Sequence, residues 1–169
     1  LPNQDGVTAI YKIIDEPGYS HRFLVDQGAT PGTLMRGPGC IGCHTLHGTD
    51  PQTVGPSLDS EILVPRLVAR LNSQEYLEQL REVGLLDREP FISYRDARAV
   101  VRQAEGLDKV RSWIRYRIME PRFDDPNAQM PNLGVPAEAA ALIAAYLVRE
   151  EDEAKEGGFI SEIADNIKD

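Results

Sequence analysis

Apolar positions at helical spacing dominate the middle of this 169-residue chain. Leu63, Val64, Leu67, Val68 and Leu71 recur at the interval that puts side chains on one face of a helix, and Tyr76, Leu77, Leu80 and Val83 repeat the pattern. Asn72-Ser73 separates the two stripes as a stop and an N-cap, and Gly84 stops the second. A third stripe of Ala97, Val100, Val101 and Ala104 is expected to start from a cap at Ser93 and to end near Gly106. Val110, Trp113, Ile114 and Ile118 form a fourth, closed by Pro121, whose ring and missing N–H end a helix. Residues 122–136 lose all periodicity and hold Pro126, Pro131, Gly134 and Pro136, which predicts an extended loop. The clearest helix follows. Pro136 suits its first position and Glu138 its first turn, and Ala139, Leu142, Ile143, Tyr146 and Leu147 supply its buried face.

The ends of the chain are less regular. Val7, Ile10, Tyr11 and Ile14 have helical spacing inside a run rich in β-branched residues, so helix and strand stay open there. Pro17-Gly18 reads as a turn, and Gly28, Pro31 and Gly32 leave room for only a short helix before residue 40. Turn formers, Gly48-Thr49-Asp50-Pro51 and then Gly55-Pro56, connect His44 to the first stripe. Beyond residue 149, eight acids face two lysines around Gly157-Gly158, the composition of a frayed helix end and a surface or partner-binding segment. The expected architecture is all-α, with an N-terminal extension over 1–30, one domain over 31–150 and an acidic tail over 151–169.

Composition narrows the function classes. The chain is long enough for one sizeable core and short for two. Its formal charge of -9 argues against nucleic acid and anionic membrane surfaces as partners, and favours proteins with a basic docking face. The longest apolar run, around 139–148, falls well short of the roughly 18 residues of a membrane span, so a soluble domain is expected. A start at Leu1-Pro2 fits removal of a signal peptide or a membrane anchor.

The chemistry lies in Gly39-Cys40-Ile41-Gly42-Cys43-His44. Cys40 and Cys43 stand about one helical turn apart, so both sulfurs can meet two vinyl groups along one edge of a porphyrin while His44 projects toward the iron. Three alternatives compete with a haem site. A thioredoxin-like C-x-x-C belongs near a βαβ pattern, which is missing; a zinc site recruiting His47 would strain a tetrahedron; a Cys40–Cys43 disulfide leaves His44 without a role. Covalent haem c is the expected cofactor.

A haem on His44 keeps one axial position open for a second ligand. Met35 lies five residues before Cys40, on the covalent side, and Met119 belongs to a helical stripe. Met130 stands in the proline-bounded loop Asn127-Ala128-Gln129-Met130-Pro131-Asn132, whose extended backbone suits it to a flat cofactor, and its thioether would raise the potential. His47 and His21 are the fallback ligands. The basic run from Lys109 to Arg122 is mostly a solvated face, with Arg122 and Arg36 as candidates to neutralise haem propionates.

With these residues in hand, the chain resembles the class I cytochromes c. The resemblance rests on Cys40-Ile41-Gly42-Cys43-His44, Gly55-Pro56-Ser57-Leu58, Trp113-Ile114 through Pro121-Arg122, Met130-Pro131-Asn132 and the helix ending Ala145-Tyr146-Leu147. It implies that the Pro56 carbonyl accepts the Nδ1 hydrogen of His44, and that Trp113 lies against the haem edge or hydrogen-bonds a propionate. Two departures stand out. The interval from His44 to Met130 is longer than in the small members, so 61–105 is expected to be a helical insert. The usual Gly-x-x-x-Phe/Tyr approach to the motif is missing, so packing of the first helix on the last would be rebuilt with Phe23, Leu24 or Leu34.

The expected function is one-electron transfer by a six-coordinate mono-haem protein, not catalysis, since a saturated iron has no place for substrate. It would serve as a soluble carrier or as the haem domain of a membrane-associated respiratory or photosynthetic complex, in the periplasm or on the outer face of a membrane. The alternative is a haem protein with an open distal side, acting as a small-ligand sensor or redox-enzyme subunit.

Overall fold

The structure is a computed structural model that describes residues 31–46 and 54–148. The readings made for residues 1–30, including His21, Phe23 and Leu24, for His47 and for the acidic tail lie outside the described residues. Six α-helices and no strand occur among those described: α1 (Pro31–Arg36), α2 (Ser60–Leu71), α3 (Gln74–Gly84), α4 (Arg95–Gln103), α5 (Gly106–Met119) and α6 (Ala137–Leu147), with a 3₁₀ turn over Cys40–Gly42 between α1 and α2. The protein is all-α there. None of these helices is long and apolar enough to cross a membrane.

Local chemistry accounts for most boundaries. Ser73 caps α3 through its Oγ, which accepts from the Tyr76 N–H at 3.2 Å, and α3 ends at Gly84. Gly106 takes φ +54°, a left-handed conformation that glycine adopts without steric cost, and opens α5 directly after α4. The loop over 122–136 contains turns and no helix.

Ser93 is not the cap of α4. Turn hydrogen bonds from Phe91 N to Arg88 O (2.9 Å) and Tyr94 N to Pro90 O (3.1 Å) carry the chain into the helix one residue later, with Tyr94 at the N-cap, while Ser93 N–H donates to Glu89. Pro136 likewise stands at the N-cap of α6 and not at its first helical residue.

α5 is the centre of the packing, in contact with α2, α4 and α6, and α1 packs on α6. Val110, Trp113, Ile114 and Ile118 are all buried, as their stripe predicts. Small Ala139, Ala140 and Ala144 on α6 are also buried, which lets the α5 and α6 backbones approach closely. The α1–α6 contact is made with half-buried Leu34 and fully buried Met35 in the same apolar cluster as α6. On α2 only Leu63, Leu67 and Leu71 are buried; Val68 is exposed, as is Val100 on α4. In place of Val100, α4 buries Arg98, whose guanidinium donates to Phe91 O (2.7 Å) and Phe123 O (2.8 Å). Desolvation lowers the Arg98 pKa from its ordinary value, and those two carbonyls supply the acceptors its burial requires. Residues 61–105, expected as a helical insert, hold most of α2 and all of α3 and α4.

Candidate functional site

The α1–α2 connection folds back on itself next to the two cysteines. His44 N–H closes the 3₁₀ turn on Cys40 O at 3.0 Å. Two further backbone bonds, Gly55 N to Cys43 O and Leu58 N to Thr45 O, both 2.8 Å, bring 55–58 alongside 43–45. This pairing sets Pro56 O 2.8 Å from His44 Nδ1. Because a carbonyl can only accept, Nδ1 carries the hydrogen of this bond, and in the neutral imidazole Nε2 is then the nitrogen with the free lone pair. The close fit depends on Gly55: a Cβ there would lie 2.5 Å from Nδ1 and 2.9 Å from Nε2 of His44, and would also meet Cε1.

Cys40, Cys43 and His44 line a cavity of about 450 Å³, within the range of small-molecule and cofactor sites. Leu63 and Leu67 of α2, Ile114 and Ile118 of α5, and Ile143 and Leu147 of α6 form its apolar walls. Met130 and Pro131 enter from the loop before α6, 86 positions after His44. Cys40 is buried and Cys43 exposed. Burial, then the neighbouring Cys43, pushes the Cys40 thiol above its ordinary value.

Of the predicted residues, then, Cys40, Cys43, His44, Pro56, Trp113 and Met130 all border one cavity. Met35 borders it too, fully buried, whereas Met119 is packed against the core and is not in the lining. The propionate candidates Arg36 and Arg122 do not reach the cavity; both are exposed. The arginines that do are Arg66 and Arg70 of α2 and Arg117 of α5.

For Trp113, expected to lie against the haem edge or to hydrogen-bond a propionate, the indole N–H finds its partner within the protein. Trp113 Nε1 donates to Asp124 Oδ2 at 2.6 Å. Asp124 is completely buried and gathers donors from two helices: Tyr76 Oη at 2.9 Å, Trp113 Nε1, and Arg117 Nη1 at 3.0 Å, while its backbone carbonyl accepts from Gln79 at 2.6 Å. One carboxylate thus ties α3, α5 and the Met130 loop together. Arg70 and Arg117 stack over Trp113, 5.5 and 5.2 Å from its ring. Sequence reasoning missed Asp124 because an aspartate in a proline-rich loop looks solvated.

The Asp124 network predicts an alkaline limit to stability. Burial foremost, and then the Asp124 charge and hydrogen bond, raise the Tyr76 hydroxyl well above its ordinary 10.0. The folded state therefore holds this proton more tightly than the unfolded chain. Its contribution is complete below about pH 10 and is lost as pH rises above it. The urea midpoint is expected to drop steeply above that pH, and Tyr76→Phe, weaker at neutrality, should flatten the drop. An equally steep curve in the variant would assign the alkaline loss elsewhere.

No family model, curated protein or solved structure matches this chain. The functional reading therefore rests on the cavity and the residues around it.

Proposed function

We propose that this chain is a c-type cytochrome domain, similar to the class I cytochromes c, that carries one haem on Cys40 and Cys43 with His44 and Met130 as axial ligands and transfers single electrons. The observation that carries the reading is the convergence of both cysteines, the histidine and the methionine on one apolar cavity of cofactor size. The donor set suits that group: two thiols for thioether bonds, an imidazole nitrogen and a soft thioether for iron, and aliphatic walls for a flat apolar ring. When bound, haem c supplies a one-electron Fe(III)/Fe(II) couple.

The chain's own residues have definable tasks. Pro56 O, by accepting from Nδ1, fixes the His44 ring and raises the basicity of Nε2. Leu63, Leu67, Ile114 and Ile143 exclude water, which favours the less charged reduced state and limits reorganisation during transfer. Met130, on a loop anchored at Asp124, closes the side that a small ligand would need. The same reading implies attachment after export, a location in the periplasm or on the outer face of a membrane, and transient docking on redox partners with basic faces, as a free carrier or within a membrane complex.

The test is optical. The purified protein should give a covalent pyridine haemochrome and, when oxidised, the long-wavelength charge-transfer band of methionine on ferric haem. Met130→Ala should abolish that band, lower the potential and admit CO, whereas Met35→Leu should leave the band intact. A high-spin wild-type protein that binds CO readily would support a ligand sensor, and a colourless protein would remove haem altogether.

A further inference from the structure

We propose that Arg66 and Arg70 of α2 are the residues that receive the two carboxylates on the cofactor's edge, and that Arg117 is withheld from this role by Asp124. This inference rests on the haem reading above. It assigns a task to α2, a helix within the expected insert.

Among the described residues, three arginine side chains border an otherwise largely apolar cavity, and no carboxylate is in its lining. They are not equivalent. Arg117 is fully committed: Nη1 donates to Asp124 Oδ1 (3.0 Å) and Pro121 O (2.6 Å), and Nη2 lies 3.9 Å from Asp125. Its charge is balanced within the protein. The guanidinium groups of Arg66 and Arg70 have no ion pair or hydrogen bond among the described residues, although the chain carries 27 acids against 18 Lys and Arg. Arg70 is instead held over the rings of Trp113 (5.5 Å) and Tyr76 (5.9 Å), which restricts its rotamers without using its N–H donors.

The spacing of the pair adds a geometric argument. Residues four apart on a helix lie about 6 Å from each other on one face. Leu63, Arg66, Leu67 and Arg70 all line the cavity, so one face of α2 presents apolar side chains and two free forks together. An amphiphilic ligand with an apolar ring and two anionic arms matches that face. Two unbalanced guanidinium groups neutralise a dianion and offer bidentate geometry to each carboxylate, which a single arginine would not.

The consequence is that both carboxylates stay ionised and the potential is insensitive to pH around neutrality. The charged or titratable groups near this end are Arg66 and Arg70 from α2, Arg117 from α5, Tyr76 from α3, and Asp124 and Asp125 from the loop, with Cys40, Cys43 and His44 on the α1–α2 side.

The experiment is a midpoint-potential titration of the holoprotein between roughly pH 5 and 8, above the ordinary carboxylate range. Wild type should give a flat line. Arg66→Gln/Arg70→Gln should give a potential that falls as pH rises, with the reduced-to-oxidised ratio at fixed ambient potential changing about tenfold across the range. Arg70→Lys should restore most of the flatness by returning the charge, and Arg122→Gln, off the cavity, should match wild type. Arg66 is exposed, so Arg66→Gln alone provides a folded variant with a smaller slope. Variants that keep a wild-type haem spectrum and a flat line overturn the arginine assignment alone. A wild-type protein without thioether-bound haem overturns both this assignment and the reading on which it rests.

Discussion

Replacing Asp124 by alanine is expected to cost about 3–5 kcal/mol of stability, the range found when one partner of a buried ion pair is removed. The carboxylate has no exposed surface, and its loss leaves the Tyr76 hydroxyl and the Trp113 indole without their acceptor and strips the Arg117 guanidinium of its closest counter-charge, with Pro121 O and the more distant Asp125 remaining to it. Arg117 is itself mostly covered, with 16% of its side chain exposed, so water does little to compensate. Asp124→Asn should fall between wild type and alanine, because its oxygen can still accept while its amide faces other donors. Urea denaturation of both variants measures the effect. A loss under about 1 kcal/mol for alanine would mean that the network contributes no more than an ordinary hydrogen bond. Since Asp124 lies in the same loop as Met130, the alanine variant should also loosen the proposed methionine ligand, seen as a weakened charge-transfer band.

Gly55→Ala is the second change with a large expected effect, although it adds only one methyl group. That group would occupy the space of the His44 ring, so the ring must rotate away from Pro56 O and lose their 2.8 Å bond. Overpacking of this kind costs about 1–3 kcal/mol, and the hydrogen bond adds about 0.5–1.5 kcal/mol. Under the proposed function, the larger consequence is a misdirected imidazole: a lower holoprotein yield and a loss of low-spin character in the oxidised spectrum. Pro56→Ala makes an informative companion, because the acceptor is a backbone carbonyl that alanine retains. It should be far milder than Gly55→Ala. Equal severity would indicate that proline's rigidity, and not the space left by glycine, positions the histidine.

Both residues illustrate which features were legible in sequence. Ser73 was readable as a cap because an N-cap is a contact over three residues, and the stripes on α2, α3 and α5 were readable because burial follows helical periodicity. Ser93 failed as a cap because a turn held by Arg88 and Pro90 carbonyls delayed the helix start, a competition that the local pattern does not reveal. Arg98 and Asp124 were invisible for another reason. A charged residue is ordinarily solvated, and only partners distant in the chain make its burial favourable. Arg36 and Arg122 stand near the ligand-bearing segments in sequence, yet both are exposed and off the cavity, which Arg66 and Arg70 border instead.

By itself the sequence determined the all-α class of the described residues, the helix stripes and their principal stops, and the spacing of Cys40, Cys43 and His44, because each depends on residues a few positions apart. The tertiary structure alone decided that Met130 shares a cavity with Cys40, Cys43 and His44, that the Trp113 N–H belongs to a buried aspartate, and which arginines face the cavity. Those outcomes depend on how helices pack over long separations, where burial and hydrogen-bond satisfaction choose among side chains that look alike along the chain.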